Sequence, residues 1–569
     1  MRKVLLYICS VFILGGMTSC EDFLDKREDV GLTEDDIFRD YYSLRGFLDQ
    51  SFNQLENVMV MDNWENGRAF VGLFADEMAT TDNSSAVFTL HSGNWLSNAK
   101  SSTTFEIGNG GSTAISRSYK ALRINNRIIN DIDKAPLTPE QKNEILGQAY
   151  FYRSWFYFQI IKRYGGMPII DKVFEGGDDD ISRITYHESH DWMMEDIQKA
   201  IYMLPDSWDD PNYGRPTKIA AMALKEWAQL FDASPLMQND LNSTENKGYD
   251  TERAKSAAKS AYEVIRYMDG SKSAPYPYGL ASKEEYTNVF YFKYPPVHQP
   301  EYIWVKRQFP NAANQNQKRT IRTFWQYEDL AFGSGPDGNS MCCPSLNIVN
   351  MFDKKGADGI YYPIDDPRSG YALDYDHKPF EDRDPRFYNN ILLPGTTWGH
   401  YADGRTYYIT TYKGGAAYQH MLTQKDCNKR MFTGFMCKKF MWPECNQYLE
   451  KNNPNCWWDY RFLTIYIRAS QIYLDYAEAL FEGCGSATAT IEGCPISAAE
   501  AINILRRRIG LTDLPSDIVA DPDKFRAAYR RERAVELMFE NHRWWDIRRW
   551  MILEETFKDT YPIKGALFT

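Results

Sequence analysis

Closely spaced helix signals constrain the fold of this sequence more than any other feature. Most residues from 148 to 163 are apolar or aromatic. That density predicts a helix buried on more than one side, because a surface helix keeps a broad polar face. Thr138 and Gln141 have the spacing of a capping box, with Pro139 in the first turn. Gly165 and the glycine after it are typical of a helix end, so one long core helix is predicted between them.

Further helix starts follow, and the helices come in pairs. Thr185, Ser282 and Ser497 are each followed three positions later by glutamate, as in a capping box. Apolar positions from Ile465 to Phe481 form a single stripe, which predicts an amphipathic helix. Residues 187–204 and 216–233 are predicted to form two helices joined by a loop. The sequence therefore indicates a mainly α protein.

The second helix of that pair has the spacing of a known repeat. Ala223, Trp227 and Pro235 match the back half of a tetratricopeptide repeat. Leu230 stands where that repeat usually has a small residue, so the repeat is interpreted as degenerate. Such repeats stack helix pairs into a curved scaffold.

Composition changes along the chain predict its organisation. Residues 20–270 form a helical region, and residues 271–460 are rich in Pro, Gly, Asn, Tyr and Asp. This composition predicts a loop-rich lobe. The lobe is expected to bind the ligand, because loops on a rigid scaffold commonly carry binding sites. Helical patterns return in residues 461–569. No basic stripe occurs in this acidic chain of net charge −12, which argues against nucleic acid as a partner.

The first 19 residues are predicted to be a lipoprotein signal peptide. Arg2 and Lys3 precede an apolar run that is shorter than the roughly 20 residues a membrane span needs. Small residues then lead into Cys20, which is predicted to be lipidated and to become the first residue of the mature chain. Glu21 begins an acidic stretch of the kind that directs lipoproteins to the outer face of the outer membrane.

The remaining cysteines permit disulfides in an exported protein. Of 10 cysteines, eight lie between Cys342 and Cys494. Cys484 with Cys494 is the preferred pair, and Cys427 with Cys437 is the next. Zinc ligation by these cysteines is not favoured, because they include no two short C-x-x-C pairs.

Two charged motifs have both a chemical and a structural interpretation. Glu532, Glu536 and Glu540 share one helical face and would repel each other without cations. The structural interpretation, a salt-bridge network between helices, is preferred over a carboxylate active site. The candidate cations of this network are Arg506, Arg507, Arg508, Arg531, Arg533 and Arg543.

His187 and His190 superficially suggest a metal site. Their spacing is one residue short of the zinc-protease motif, so a helix-capping turn is the preferred interpretation and no metal site is predicted. Asp374 and Asp376 lack the glycine and glutamate of a calcium-binding loop. No cofactor is predicted.

Several segments together resemble one family, the SusD/RagB outer-membrane nutrient-binding lipoproteins. The resemblance starts at Cys20 and covers nearly the whole chain in the family's order. Gln148 stands where the family usually has glutamate, and the family's proline after the N-terminal motif and its Pro-Ile-Pro ending are missing. The other similar segments are residues 119–132, 147–158, 163–170, 214–221, 384–387, 476–480, 503–511 and 531–550.

The resemblance implies a fold, a partner and a function. It implies four tetratricopeptide-like units with a loop-rich ligand-binding lobe, and a SusC-like TonB-dependent transporter as the partner. The lipoprotein would capture an oligosaccharide at the cell surface and deliver it to that transporter without catalysis. Aromatic side chains beside polar ones suit sugar rings, and this pairing occurs in two segments. The candidate ligand-binding residues are Asn94, Trp95, Trp325, Tyr327 and Tyr291, with Tyr294 and Trp398 as secondary candidates.

Three other functions stay open at this point. The same scaffold could capture peptides, since an acidic chain with scattered aromatics does not separate peptides from glycans. A surface glycosidase would need two carboxylates about 5 to 10 Å apart in one cleft. A helical scaffold that binds only other proteins would bind no small ligand.

Overall fold

The computed structural model describes most of the chain. The described residues are 33–55, 74–79, 114–174, 181–239, 245–290, 298–307, 343–400, 406–415, 418, 433–440, 463–559 and 563–569. Its α-helices are α1 Glu34–Phe38, α2 Tyr41–Gln54, α3 Ala114–Asp131, α4 Pro139–Tyr164, α5 Tyr186–Met203, α6 Lys218–Ala233, α7 Thr251–Gly270, α8 Leu346–Val349, α9 Pro385–Asn390, α10 Ala469–Cys484, α11 Ala498–Arg508, α12 Ser516–Ala520, α13 Pro522–Glu536, α14 Arg543–Arg549 and α15 Leu553–Thr556.

Short strands accompany the helices. They are β1 Met78–Ala79, β2 Tyr302–Arg307, β3 Cys343–Pro344, β4 Lys354–Lys355, β5 Tyr361–Tyr362, β6 Ile391–Leu392, β7 Thr397–His400, β8 Thr406–Tyr408, β9 Met436–Cys437 and β10 Leu463–Arg468. Among the described residues they form antiparallel two-stranded sheets that pair β1 with β3, β2 with β10, β4 with β5, β6 with β9 and β7 with β8.

The longer helices stack in chain order. Each of α2 to α6 packs against the next, α6 packs against α7, and α7 packs against α10. The mainly α, tetratricopeptide-like scaffold predicted from the sequence is therefore confirmed. Because α7 and α10 are neighbours in space, the chain from 271 to 468 is an insertion between two adjacent helices of the stack.

The predicted core helix is α4. Thr138 and Gln141 form the full capping box, and Gly165 ends the helix with φ 78°. Gly147 allows α4 and α5 to approach closely, since a Cβ there would lie 3.0 Å from Cβ of Met203 in α5. Trp155 is almost fully buried and meets Trp304 of β2 edge to face, with ring centroids 4.7 Å apart. The helix thus joins the stack to the inserted region through aromatic contacts.

Two details of the predicted helices are wrong. The helical stripe was predicted from Ile465, but residues 463–468 form β10 and the helix begins at Ala469. The β-branched residues of this run pair with β2, so tertiary pairing overrides the periodicity. The cap at Ser282 is made, with the amide of Glu285 3.3 Å from its hydroxyl. Only a 3₁₀ turn, Tyr286–Val289, follows, because a cap stabilises a first turn without supplying an apolar stripe to extend it.

The cysteine pairing is also different from the prediction. Cys484 and Cys494 are both free thiols, and Cys494 is buried with its sulfur 3.9 Å from the carbonyl oxygen of Ala258. Their placement at the end of α10 and in the following turn brings them into one neighbourhood without a bond. Cys437 is a free buried thiol, and Cys427 lies outside the described residues.

No helix within the described part of the chain is both long and apolar enough to span a bilayer. The predicted signal peptide and Cys20 lie outside the described residues.

Candidate functional site

The predicted ligand-binding residues lie in segments whose ends the structure positions. Asn94, Trp95, Trp325, Tyr327 and Tyr291 all fall outside the described residues. The secondary candidate Tyr294 does so too, and Trp398 lies in β7 with a side chain that is not described. The site is therefore considered from the elements at which these segments begin and end.

The segments that contain the two tryptophans share one attachment point. In the β1–β3 pair, Ala79 lies opposite Cys343. Because the strands are antiparallel, the residue that precedes segment 80–113 lies opposite the residue that follows segment 308–342. The other end of segment 308–342 follows β2, where Arg307 pairs with Leu463. The described residues that flank these segments are thus held in strand pairs with partners far away in sequence.

Buried polar contacts fix this attachment point. The guanidinium of Arg543 donates to both carboxylate oxygens of Asp76, at 2.7 and 2.9 Å. The amide of Ser345 donates to the carbonyl oxygen of Glu77 at 3.1 Å, and the Glu77 carboxylate accepts from the amide of Phe539 at 3.0 Å. Burial raises the pKa of Glu77 to about 8, so this carboxyl group is largely protonated at neutral pH.

The β2 end is held in a similar way. The ammonium group of Lys306 donates to the carbonyl oxygen of Leu55, the residue directly after α2, at 3.0 Å. Burial lowers the pKa of Lys306 to about 8. This bond links the end of α2 to β2, which belongs to the inserted region.

A cavity opens beside the β1–β3 pair. Its volume is about 490 Å³, within the range of small-molecule sites, roughly 300–1,000 Å³. Asp76, two residues before β1, and the helix α8, which follows β3, both contribute to its wall. Polar groups that can bond hydroxyls come from Asn347, Asn350, Asp365, Arg531, Glu555, Thr556 and Lys558. Sequence reasoning missed these residues, because they come from four separate stretches of chain with no shared motif.

A second, smaller cavity is lined by aromatic side chains. The ring of His298 stacks on Tyr276 with centroids 3.7 Å apart and meets Tyr213 edge to face at 4.4 Å. The cavity measures about 40 Å³, which holds a few water molecules at most and no sugar ring. These aromatic rings therefore pack against one another.

The three glutamates of α13 and the following turn form the predicted salt-bridge network. Glu536 is fully buried and accepts from Arg386 at 2.9 Å, Arg468 at 2.9 Å and Arg508 at 2.7 Å. Although burial alone would raise the pKa of Glu536, these three guanidinium groups hold it well below its usual range. The structural interpretation is confirmed, since each guanidinium comes from a different element.

The cations of this network were only partly predicted. Arg506 bonds Glu532, and Lys439 and Arg468 bond Glu540. The other four predicted arginines pair with acidic residues outside this network. Arg507 pairs with Glu500 and Asp513, and Arg531 pairs with Asp353. Arg533 pairs with Asp475 and Asp546, and Arg543 pairs with Asp76. Arg386, Arg468 and Lys439 were missed because they lie far away in sequence.

The predicted capping turn at the start of α5 is confirmed. Thr185 caps the helix, with the Glu188 amide 3.2 Å from its hydroxyl and the Glu188 carboxylate bonded back to its amide. The histidines of this helix face Asp232 of α6: Nδ1 of His187 lies 2.7 Å from Oδ1, and Nδ1 of His190 lies 3.4 Å from Oδ2. Capping and a histidine–carboxylate cluster thus coexist in one turn.

Comparison with models of protein families identifies the family to which the chain belongs. A model described as the SusD family matches residues 300–566, and one described as starch-binding and associating with the outer membrane matches residues 22–226. The chain belongs to the SusD family of carbohydrate-binding proteins associated with the outer membrane. No curated protein sequence matches it.

Solved structures agree on the fold. A SusD-like protein from Bacteroides fragilis is 22% identical, with a TM-score of 0.69 over 94% of this chain and 93% of that one. A SusD-like carbohydrate-binding protein from the same species is 20% identical, with a TM-score of 0.64 over 91% and 88%. A laminarin-binding SusD-like protein is 18% identical, with a TM-score of 0.61 over 92% and 96%. At these identities the likeness supports the shared fold.

Proposed function

We propose that this chain is a cell-surface lipoprotein that captures an oligosaccharide and delivers it to a SusC-like TonB-dependent transporter. The single observation that carries the binding role is the pairing of Ala79, which precedes segment 80–113, with Cys343, which follows segment 308–342. Trp95 belongs to the segment that follows Ala79 and Trp325 to the segment that precedes Cys343, and a polar cavity of about 490 Å³ opens beside this strand pair.

Sugar chemistry supports this choice of ligand. A pyranose has an apolar ring face, which suits an aromatic side chain, and a rim of hydroxyls that need donors and acceptors. Asn94, Trp95, Tyr291, Trp325 and Tyr327 would supply the stacking contacts and one amide. The amides and charged groups of the cavity would bond the hydroxyls. Binding and release need no covalent step, so no catalytic residue is proposed.

Membrane attachment and delivery form the second part of the proposal. Cys20 would carry the lipid, and the acidic residues after it would direct the chain to the outer face of the outer membrane. Replacing Cys20 with alanine is expected to abolish labelling of the chain by radioactive palmitate and to release it from the membrane fraction. Crosslinking on intact cells is expected to join the lipidated chain to a β-barrel partner.

The binding role is tested by affinity electrophoresis of the purified protein through gels that contain single polysaccharides, including α- and β-linked glucans. We expect retardation by one class of polymer. Trp95→Ala and Trp325→Ala should each weaken that retardation at least tenfold, because stacked aromatics dominate such contacts. Tyr375→Ala, which removes an aromatic ring that is 94% exposed and outside the cavity, is the matched control.

The outcomes separate the competing functions. Unchanged affinity in both tryptophan variants would disprove the assigned ligand-binding residues. Absence of retardation by every polysaccharide, together with peptide binding in calorimetry, would instead establish peptide capture. Release of reducing ends from a retarding polymer would identify a glycosidase.

A further inference from the structure

A cluster of metal-binding side chains joins α5 to α6. His187, His190 and Asp191 are at positions i, i+3 and i+4, which share one face of a helix. That face meets Asp232 near the end of α6. Nδ1 of His190 lies 3.0 Å from Oδ1 of Asp191 and 3.4 Å from Oδ2 of Asp232. One nitrogen and two carboxylate oxygens from two helices therefore converge within 4.8 Å of one another.

These separations suit a tetrahedral ion. Zinc bonds nitrogen and oxygen at about 2.0–2.2 Å, so the edges of its coordination tetrahedron are about 3.3 Å. The separations from His190 to the two aspartates lie close to that value. Small movements of these side chains would place all three atoms at bonding distance from one ion. A nitrogen ligand among the oxygens favours zinc over magnesium or calcium.

The two oxygens of Asp232 have different partners. Oδ1 faces Nδ1 of His187 at 2.7 Å, while Oδ2 contacts the guanidinium of Arg253 from α7. The same guanidinium lies 3.7 Å from Asp191. Arg253 is therefore the resident cation, and His187 orients the carboxylate from its other side, as histidine–carboxylate contacts around metal ions do.

Burial is graded across the cluster, which leaves one side open. Side-chain exposure is 2% for Asp232 and 5% for His190, but 64% for Asp191 and 32% for Arg253. The ring of His190 presents Nδ1 to the carboxylates, while its Nε2 has no hydrogen-bond partner among the described residues. An ion could enter from the Asp191 side and keep a water molecule in its fourth position.

We propose that His190, Asp191 and Asp232 form a zinc site, with His187 as the positioning residue. Zinc takes the place of the Arg253 guanidinium at Oδ2 of Asp232, because two cations cannot share that oxygen without strong repulsion. The nitrogen lone pair of a neutral His190 binds the ion, and any proton on Nδ1 leaves to solvent. The bound ion then links the two helices of one pair and frees Arg253 from the cluster.

The test uses untagged protein freed of metals by chelation. Cobalt(II) reports the site through its visible absorption, which is strong when coordination is tetrahedral, and zinc affinity is measured by competition with a coloured chelator. We expect one zinc per chain and displacement of cobalt by zinc. Asp191→Asn should abolish the tetrahedral cobalt band, and His187→Gln should weaken zinc binding about ten- to hundredfold.

Arg253→Gln distinguishes a metal site from a purely structural ion-pair cluster. It removes the competing cation, so zinc should bind several-fold more tightly, whereas a structural network would only lose stability. The control replaces His377 and Asp374, an exposed histidine–aspartate pair 2.6 Å apart on another surface, with Gln and Asn.

Several results would overturn the proposal. These are no binding stronger than millimolar in the parent protein, equal affinity in the Asp191→Asn and parent chains, or loss of binding in the His377 and Asp374 control. Weaker zinc binding in Arg253→Gln would also overturn it. Asp191 is largely exposed, so its variant stays informative even if a change at buried His190 prevents folding.

Discussion

The helical stack from α4 to α7 and the buried surroundings of α13 are held together in different ways. Between α4, α5 and α6 most of the space is filled by apolar side chains such as Ile161, Ile197 and Leu224, all fully buried, beside one buried ion pair, Arg153 with Asp196. Around α13 the buried space is filled by charged groups centred on Glu536. Apolar contacts are non-directional and tolerate change, whereas each buried charge depends on specific partners. The two regions should therefore respond differently to substitutions that preserve shape.

The largest effect is expected at Glu536. Glu536→Gln keeps the shape of the side chain but leaves three buried guanidinium groups without its charge. We expect a loss of about 3–5 kcal/mol in the free energy of unfolding, measured by urea denaturation. A loss below about 1 kcal/mol would show that the two regions do not differ as described.

A pH-dependent effect is expected at Glu77. Burial raises the pKa of Glu77 to about 8 from the ordinary value of 4.5. At a pH between these two values, Glu77 keeps its proton in the folded chain and has lost it in the unfolded chain. The stabilisation that comes from this bound proton is fully present below the pKa that Glu77 has in the unfolded chain. It is lost as the pH rises through the pKa that Glu77 has in the folded chain. Glu77→Gln mimics the protonated form.

Urea denaturation of the parent protein and of Glu77→Gln at several pH values tests the direction of this pH dependence. We expect the parent to lose stability between about pH 5 and pH 8, by an amount on the order of a few kcal/mol, while the variant loses less. Parallel curves would show that Glu77 does not retain its proton. Glu478 is the contrasting carboxylate: burial alone would raise its pKa, but Arg549, Arg533 and Trp550 together lower it to about 2.

A smaller effect is expected in the apolar stack. Leu224→Met conserves volume at a fully buried position of α6 and introduces no charge. The free energy of unfolding should fall by less than about 1.5 kcal/mol in the same urea assay. A loss as large as that of Glu536→Gln would mean that the apolar stack tolerates shape-preserving substitutions no better than the ionic cluster does.

The smallest effect is expected at Arg507. Its side chain is 47% exposed and pairs with Glu500 and Asp513, while that of its neighbour Arg508 is 6% exposed and pairs with Glu301 and Glu536. Arg507→Ala should cost less than about 1 kcal/mol, because solvent screens exposed pairs. Arg508→Ala, measured alongside, should cost several times more. Equal losses would contradict a role for burial in this difference.

Local patterns predicted the helices well. The capping boxes at Thr138 and Thr185 and the stop at Gly165 are local features, each made by residues within a few positions of one another. The helix boundary at Ile465 failed because its partner strand lies about 160 residues earlier in the chain. The Cys484–Cys494 pair failed as well, since closeness in sequence does not ensure bonding geometry.

Only part of the candidate site could be predicted from the sequence. Asn94, Trp95, Tyr291, Trp325 and Tyr327 stay predictions, since they lie outside the described residues. The polar cavity beside the β1–β3 pair could not be predicted, because its walls come from scattered stretches of chain. The spacing of His187 and His190 predicts a capping turn, and it gives no sign that Asp232 of α6 faces both rings.

The sequence by itself determined the mainly α scaffold, the position of its long core helix and the membership of a family. These follow from periodicity, capping and ordered motifs, which act over a few residues at a time. Only the tertiary structure decided which arginines meet Glu536, that Ala79 pairs with Cys343, and that Asp232 faces the histidines of α5. Such contacts join residues tens to hundreds of positions apart, and side-chain identity does not specify distant partners until the chain has folded.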